Sequence, residues 1–197
     1  LGEVGGLGSY VNALSITTTG TNSGRASGSI SLQATRTAGT QDYNTAGAAG
    51  ATNGVVTLNG DLATTDSAIT FAANTPVTLG ASVTIDTTDS GFGTGGDVDF
   101  EYTLDATTTG VETLDITAGT GTVTFADAVG ATAALGYLDV TADAITLGCD
   151  ITTDDTAGAD GHVTMNGATT ITNSITIDTT DGGAGTGGDI NFTNTLD

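Results

Sequence analysis

Three-residue units of the form apolar, polar, apolar recur along the whole chain. They are Leu14-Ser15-Ile16, Ile30-Ser31-Leu32, Val56-Thr57-Leu58, Ile69-Thr70-Phe71, Val77-Thr78-Leu79, Val83-Thr84-Ile85 and Val98-Asp99-Phe100, then Leu114-Asp115-Ile116, Val123-Thr124-Phe125, Leu138-Asp139-Val140, Ile145-Thr146-Leu147, Val163-Thr164-Met165, Ile175-Thr176-Ile177 and Ile190-Asn191-Phe192. Alternation with period two in β-branched residues, bounded by Gly, Asn, Asp and Thr, predicts short strands with one buried face. No stretch sustains the 3.6 period of an amphipathic helix.

The spacing of the units selects among all-β architectures. A sandwich would use strands of about 5 to 6 residues joined by regular hairpin signals. Here short steps alternate with long ones and sum to about 20 to 24 residues per cycle, as expected for one rung of a parallel β-solenoid, or parallel β-helix, with two or three strands per turn. At about 4.8 Å per rung, roughly 8 to 10 rungs would make a rod of about 40 to 50 Å.

A longer repeat overlies the short one. SVTIDTTDSGFGTGGDVDFEYTLD, residues 82–105, returns as SITIDTTDGGAGTGGDINFTNTLD, residues 174–197, with 17 of 24 positions identical and an offset of 92 (174 − 82). VTLNGDLATTDS from Val56 corresponds in the same way to ITLGCDITTDDT from Ile145, and a weaker echo links EVGGLGSYVNALSIT near Glu3 to DAVGATAALGYLDVT near Asp127. The expectation is one solenoid over residues 1–197, a slice of a longer repeat protein, whose open ends continue or associate with further copies of itself.

Two stretches carry a family resemblance: ITAGTGTVTFADAVGATAALGYLDVTADAITLGCDITT from Ile116 and TRTAGTQDYNTAGAAGATNGVVTLNGDL from Thr35. With most of the chain they resemble the filamentous haemagglutinin-like large exoproteins, β-strand-repeat adhesins that Gram-negative bacteria export by two-partner secretion. The resemblance implies a right-handed parallel β-helix, secreted or held at the cell surface, serving as adhesin, biofilm matrix component or fibrous appendage. The family's amino-terminal secretion domain and a carboxy-terminal effector are not present in this sequence.

Composition narrows the function. Of 197 residues, 31 are Gly and 44 Thr, against 1 Pro, 1 Met and no Trp; 23 Asp and Glu face 2 Lys and Arg, for a net charge of −21. The two basic residues are Arg25 and Arg36, so the clustered cations that nucleic-acid phosphates require are missing. An anionic membrane surface would repel the chain, and no apolar run approaches the roughly 18 residues of a membrane span. The single Cys149 forms no intrachain disulfide and no Cys cluster for zinc.

The sharpest candidate chemistry is the loop D-T-T-D-x-G-x-G-T-G-G-D, present at 86–97 and 178–189. Its carboxylates, Asp86, Asp89 and Asp97 in one copy and Asp178, Asp181 and Asp189 in the other, together with glycine carbonyls, could supply the 6 to 8 oxygens that calcium takes. The alternative is a solvated turn whose aspartates act as turn formers. The loop lacks the D-x-D-x-D-G and terminal Glu of an EF-hand and departs from the GGxGxD nonapeptide. A second acidic cluster, Asp154, Asp155 and Asp160, surrounds the only histidine, His162, and reads as a lengthened surface loop. Cys149 aligns with Gly60 of the other copy and has no base beside it.

Other activities fit less well. Uronate lyase chemistry on a solenoid would use Arg or Lys electrostatics, and with 23 carboxylates a glycosidase-like pair arises by chance. An ice-matching lattice of Thr84, Thr124, Thr146, Thr164 and Thr176 is interrupted by Asp99, Asp115, Asp139 and Asn191. A glycan platform of Tyr10, Tyr43, Tyr102 and Tyr137 is too scattered. The sequence therefore leads to the expectation of a non-enzymatic, extracellular scaffold with no required cofactor, its core built from residues such as Val83, Ile85, Val98, Phe100, Val123, Phe125, Ile175, Ile177, Ile190 and Phe192. A calcium-dependent or glycan-binding module, with other cell surfaces or glycans as partners, is the alternative.

Overall fold

The computed structural model describes residues 11–20, 26–47, 52–183 and 185–197. Among them every strand ladder is parallel, and there is no helix. The chain winds into a β-solenoid of about six turns. Each turn lays down three strands, one on each face of a triangular prism.

Face 1 stacks Leu14–Thr17, Gln41–Asn44, Ile69–Phe71 and Val98–Phe100 in register. Face 2 stacks Ile30–Leu32, Val56–Leu58, Val77–Leu79 and Leu104–Ala106, and continues through a bridge at Val129 to Ile151–Thr152 and Ile177–Asp178. Face 3 stacks Thr35–Thr37, Leu62–Thr64 and Val83–Asp86. Three long strands, Leu114–Phe125, Leu138–Leu147 and Val163–Ile171, then run around the edge from face 3 onto face 1, with register shifts at the bend, and Ile190–Phe192 closes face 3. No helix among the described residues is long and apolar enough to cross a membrane.

The three-residue strands turn two side chains inward and one outward, because successive residues of a strand point to opposite faces. Stacking in register therefore makes ladders of like residues along the axis. The most regular is Tyr43, Phe71, Phe100 and Phe125 on face 1, whose rings lie nearly parallel with centroids 5.4, 4.8 and 5.4 Å apart. Such a ladder joins burial of large apolar rings to offset stacking. Val98, Val123, Ile85, Leu114, Leu138 and Val163 fill the remaining cross-section with essentially no exposure.

Thirteen of the fourteen apolar-polar-apolar units lie within strands; of Ile175-Thr176-Ile177 only Ile177 does. The turns are longer and fewer than the spacing led one to expect. Ile145 follows its partner Val123 by 22 residues (145 − 123), and Val98 follows Ile69 by 29 (98 − 69). Strands at Thr35–Thr37, Gln41–Asn44, Leu62–Thr64, Leu104–Ala106 and Ile151–Thr152 lie between the apolar-polar-apolar units. At about 4.8 Å per turn, about six turns give a prism of roughly 30 Å. Of the expected core residues, Ile175, Ile177 and Phe192 are only partly buried, and Ile190 is 45% exposed, since its strand pairs on one side alone, with Val163–Met165.

Polar residues replace apolar ones at several inward positions, each with its hydrogen bonds made. Gln41 donates to the carbonyl of Ala63 at 2.7 Å and accepts from the Tyr43 hydroxyl at 2.8 Å. Threonines close the corners from inside. The Thr87 hydroxyl donates to the Gly96 carbonyl at 2.8 Å, Thr179 to Gly188 at 3.0 Å, Thr45 to Gly54 at 2.8 Å, and Thr153 to Gly161. Among the described residues, no buried side-chain nitrogen or oxygen is left without a partner. That matters because each unsatisfied polar group in such a core would cost about 1 to 3 kcal/mol.

Candidate functional site

The two D-T-T-D-x-G-x-G-T-G-G-D loops fold alike from their first aspartate. Asp86 accepts from the Thr88 amide and hydroxyl, both at 2.7 Å, and from the Ser90 amide at 2.9 Å. Asp178 accepts in the same way from Thr180 at 2.8 and 2.7 Å and from the Gly182 amide at 2.9 Å. These bonds to Thr180 and Gly182 hold the Asp178 carboxyl below its ordinary pKa. Both residues are turn formers that satisfy loop amides with their own carboxylates.

The glycine arm of each loop is clamped by an aspartate of an earlier corner. Asp66 accepts from the Gly95 amide at 2.8 Å and the Thr94 hydroxyl at 3.3 Å, while Asp155 accepts from the Thr186 amide at 3.1 Å and its hydroxyl. Sequence reasoning missed this role for Asp66 and Asp155. The available signal was their phase: Thr64-Thr65-Asp66 and Thr153-Asp154-Asp155 end a strand as Thr87-Thr88-Asp89 does. Gly95 shows what the glycines are for. Its φ is +95°, and a Cβ there would lie 2.0 Å from the Ala118 carbonyl oxygen of the following strand, so the backbone approach leaves no room for a side chain.

The other predicted calcium ligands are drawn into different contacts. Asp89 pairs with Arg36 of face 3, and Asp97 accepts from the Thr122 amide at 2.7 Å. Asp181 adopts the left-handed conformation, φ +44°. Asp189 lines a surface cavity of about 460 Å³ with Asp160, His162, Thr164, Gly188 and Asn191. The two loops do not stack. Residues 86–97 span the edge between faces 3 and 1, whereas residues 178–189 span the edge between faces 2 and 3. Among the described residues, no three His, Cys, Asp or Glu side chains gather closely enough to hold one metal ion.

A concentrated electrostatic feature lies on face 3, around His162. Thr113, Tyr137, His162 and Asp189 each precede the in-register residues Leu114, Leu138, Val163 and Ile190. His162 stacks on Tyr137, with ring centroids 4.7 Å apart and planes 12° from parallel. Its Nε2 faces Asp139 Oδ1 at 2.8 Å, and its Nδ1 faces Asp160. The Tyr137 hydroxyl donates to Asp115 at 2.9 Å. Partial burial works against a charge on His162, but hydrogen bonds and charges from Asp160 and Asp139 outweigh it and raise its pKa above the ordinary 6.5. The hydrogen bond from His162 in turn holds Asp160 below its ordinary value. The loop expected to be a plain surface insertion thus carries both an imidazole bridge and the Asp155 clamp.

The remaining candidates are distributed elsewhere. Tyr10 lies outside the described residues. Tyr43 is buried in the ring ladder, which removes it from any surface platform. Thr84 and Thr164 belong to face 3 but Thr124 and Thr146 to face 1, so these threonines do not share one plane. Burial, followed by the charges of Asp127 and Asp150, pushes the Cys149 thiol up to about 12. Asp99, outward on face 1, is raised by burial and by the neighbouring charges of Asp97 and Glu101.

No family model, curated protein or solved structure matches the chain.

Proposed function

We propose that this chain is a structural segment of a secreted or cell-surface bacterial fibre or adhesin of the filamentous haemagglutinin-like kind, a rigid extracellular scaffold without enzymatic activity. The observation that carries the reading is the unbroken axial core. One hydrophobic cluster runs from Ile30 to Met165, threaded by four stacked rings, while the outward strand positions carry mainly Ser, Thr, Asp and Asn. Parallel main-chain hydrogen bonds lie along the axis and would carry load in tension, and the net charge of −21 would keep neighbouring rods apart. The scaffold reading is favoured over a calcium module because the leading aspartates, Asp86 and Asp178, already spend their oxygens on loop amides.

Electron microscopy of the native, unfragmented material tests the proposal. Rods or fibres with an axial repeat near 4.8 Å are expected. Discrete globular particles without that repeat would overturn it. Calorimetry with calcium, on the wild type and on Asp97→Asn and Asp189→Asn, separates the alternative. The scaffold reading expects melting that ignores both calcium and chelator.

A further inference from the structure

The geometry around His162 points to a function of its own. Both ring nitrogens face carboxylate oxygens, of Asp139 on the preceding turn and of Asp160 on the loop just before His162. An ionised carboxylate only accepts hydrogen bonds, and a neutral imidazole carries only one N–H. Both contacts are therefore satisfied together only by the imidazolium. Every other titratable group facing the ring is acidic: Asp189 from the following turn, Tyr137 beneath the ring, and Asp115 bonded to the Tyr137 hydroxyl. The chain has no Lys, and among the described residues Arg36 is paired with Asp89.

We propose that His162 is a pH-operated latch, which as the imidazolium ties loop 154–161 to face 3 through Asp160 and Asp139 and on losing its proton lets the loop go. The release does not stop at that loop. Asp155 lies on the same loop and holds Thr186, in the glycine arm of the 178–189 loop one turn on. Opening the latch loosens the second Gly-rich loop through this clamp. The first Gly-rich loop hangs from Asp66 and has no histidine, so it is an internal control in the same molecule.

The sign follows from the directions of the two shifts. His162 is raised, so its contribution is complete below the ordinary imidazole value of 6.5 and is lost as pH climbs through its folded-state value. Asp160 is lowered, so its contribution is present above the ordinary 3.8 and is lost as pH falls through its folded-state value. The latch is closed in the mildly acidic window between the two.

Amide hydrogen exchange at pH 5.5 and pH 8.5, corrected for the intrinsic rate, tests this on the full 197-residue chain. In the wild type, protection of segments covering 154–161 and 178–189 should fall about two- to fivefold at the higher pH, as befits a partly exposed ion pair, while segments covering 86–97 stay constant. In His162→Gln the difference should vanish with the fold intact, and Asp160→Asn should flatten it likewise. A wild type whose 178–189 loop is indifferent to pH, or whose two Gly-rich loops respond equally, would overturn the latch. So would a His162→Gln variant that keeps the pH response. Because the chain has one histidine, its proton NMR titration reads the group directly.

Discussion

Replacing Phe100 isolates the contribution of the ring ladder. Phe100 is 1% exposed and sits between Phe71 at 4.8 Å and Phe125 at 5.4 Å, with interplanar angles of 14° and 5°. Truncation to alanine removes the buried ring and opens a cavity between two rigid turns, at a cost of about 3 to 5 kcal/mol. Phe100→Leu keeps most of the apolar volume and loses the two stacking contacts, at about 0.5 to 1.5 kcal/mol each, so about 1 to 3 kcal/mol in all. Phe92 is the matched control. It is 91% exposed at the tip of the first Gly-rich loop, and Phe92→Ala should stay within about 0.5 kcal/mol of wild type. Urea titrations followed by far-UV circular dichroism measure all three. In a solenoid each turn is held chiefly by its neighbours, so Phe100→Ala should also uncouple the turns before and after it, seen as a lower m-value or a second transition. A loss below about 1 kcal/mol for Phe100→Ala, or equal losses for Phe100→Ala and Phe92→Ala, would refute the ladder as the spine of the core.

Two further substitutions or treatments probe separate parts of the structure. Thr87→Val keeps the shape but strips the hydroxyl that both donates to the Gly96 carbonyl and accepts from the Gly96 amide at 2.9 Å; the expected loss is about 1 to 3 kcal/mol, with exchange rising first in segments covering 86–97. Cys149 is 8% exposed and its thiol is pushed up to about 12, so a disulfide reagent at pH 8 should leave the native protein untouched and react fully in urea; rapid native labelling would contradict the burial.

The all-β solenoid was legible in the sequence because inward positions are paid in Val, Ile, Leu and Phe at period two. The turn length was not. Thr35, Thr37 and Gln41 point into the core and are buried, yet as polar residues they interrupt the apolar pattern. Thr35 and Thr37 donate to carbonyls two residues away, of Gln33 and Gly39, while Gln41 reaches the Ala63 carbonyl of another turn. Counting apolar units alone therefore skipped strands and split single turns. The same obstacle hid the site. The Asp86 and Asp178 loops were visible as a repeated unit, but Asp66 reaches Gly95 and Asp139 reaches His162 across a turn. With turns that vary between 21 and 31 residues (77 − 56 and 114 − 83), no fixed offset aligns such pairs.

The mismatch between the sequence repeat and the structural turn has a physical origin. Ile85 is on face 3, and its counterpart Ile177 is on face 2. Val98 is on face 1 and Ile190 on face 3; Leu104 is on face 2 and Leu196, bridged to Thr169, on face 1. Each element of the repeated segment has moved back by one face, so the offset of 92 residues (174 − 82) spans a non-integral number of turns. The prism permits this because its three faces ask for the same thing: a short strand with two inward side chains, then a corner closed by threonine. Thr87 performs that closure between faces 3 and 1, and Thr179 performs it between faces 2 and 3, through the same hydroxyl-to-carbonyl bond across nine residues. The repeating module is thus a side and its corner, smaller than a turn and indifferent to which side it occupies. Duplicating it preserves the core while carrying the acidic loop to a different edge, where it follows by one turn the loop that carries the histidine bridge to Asp139.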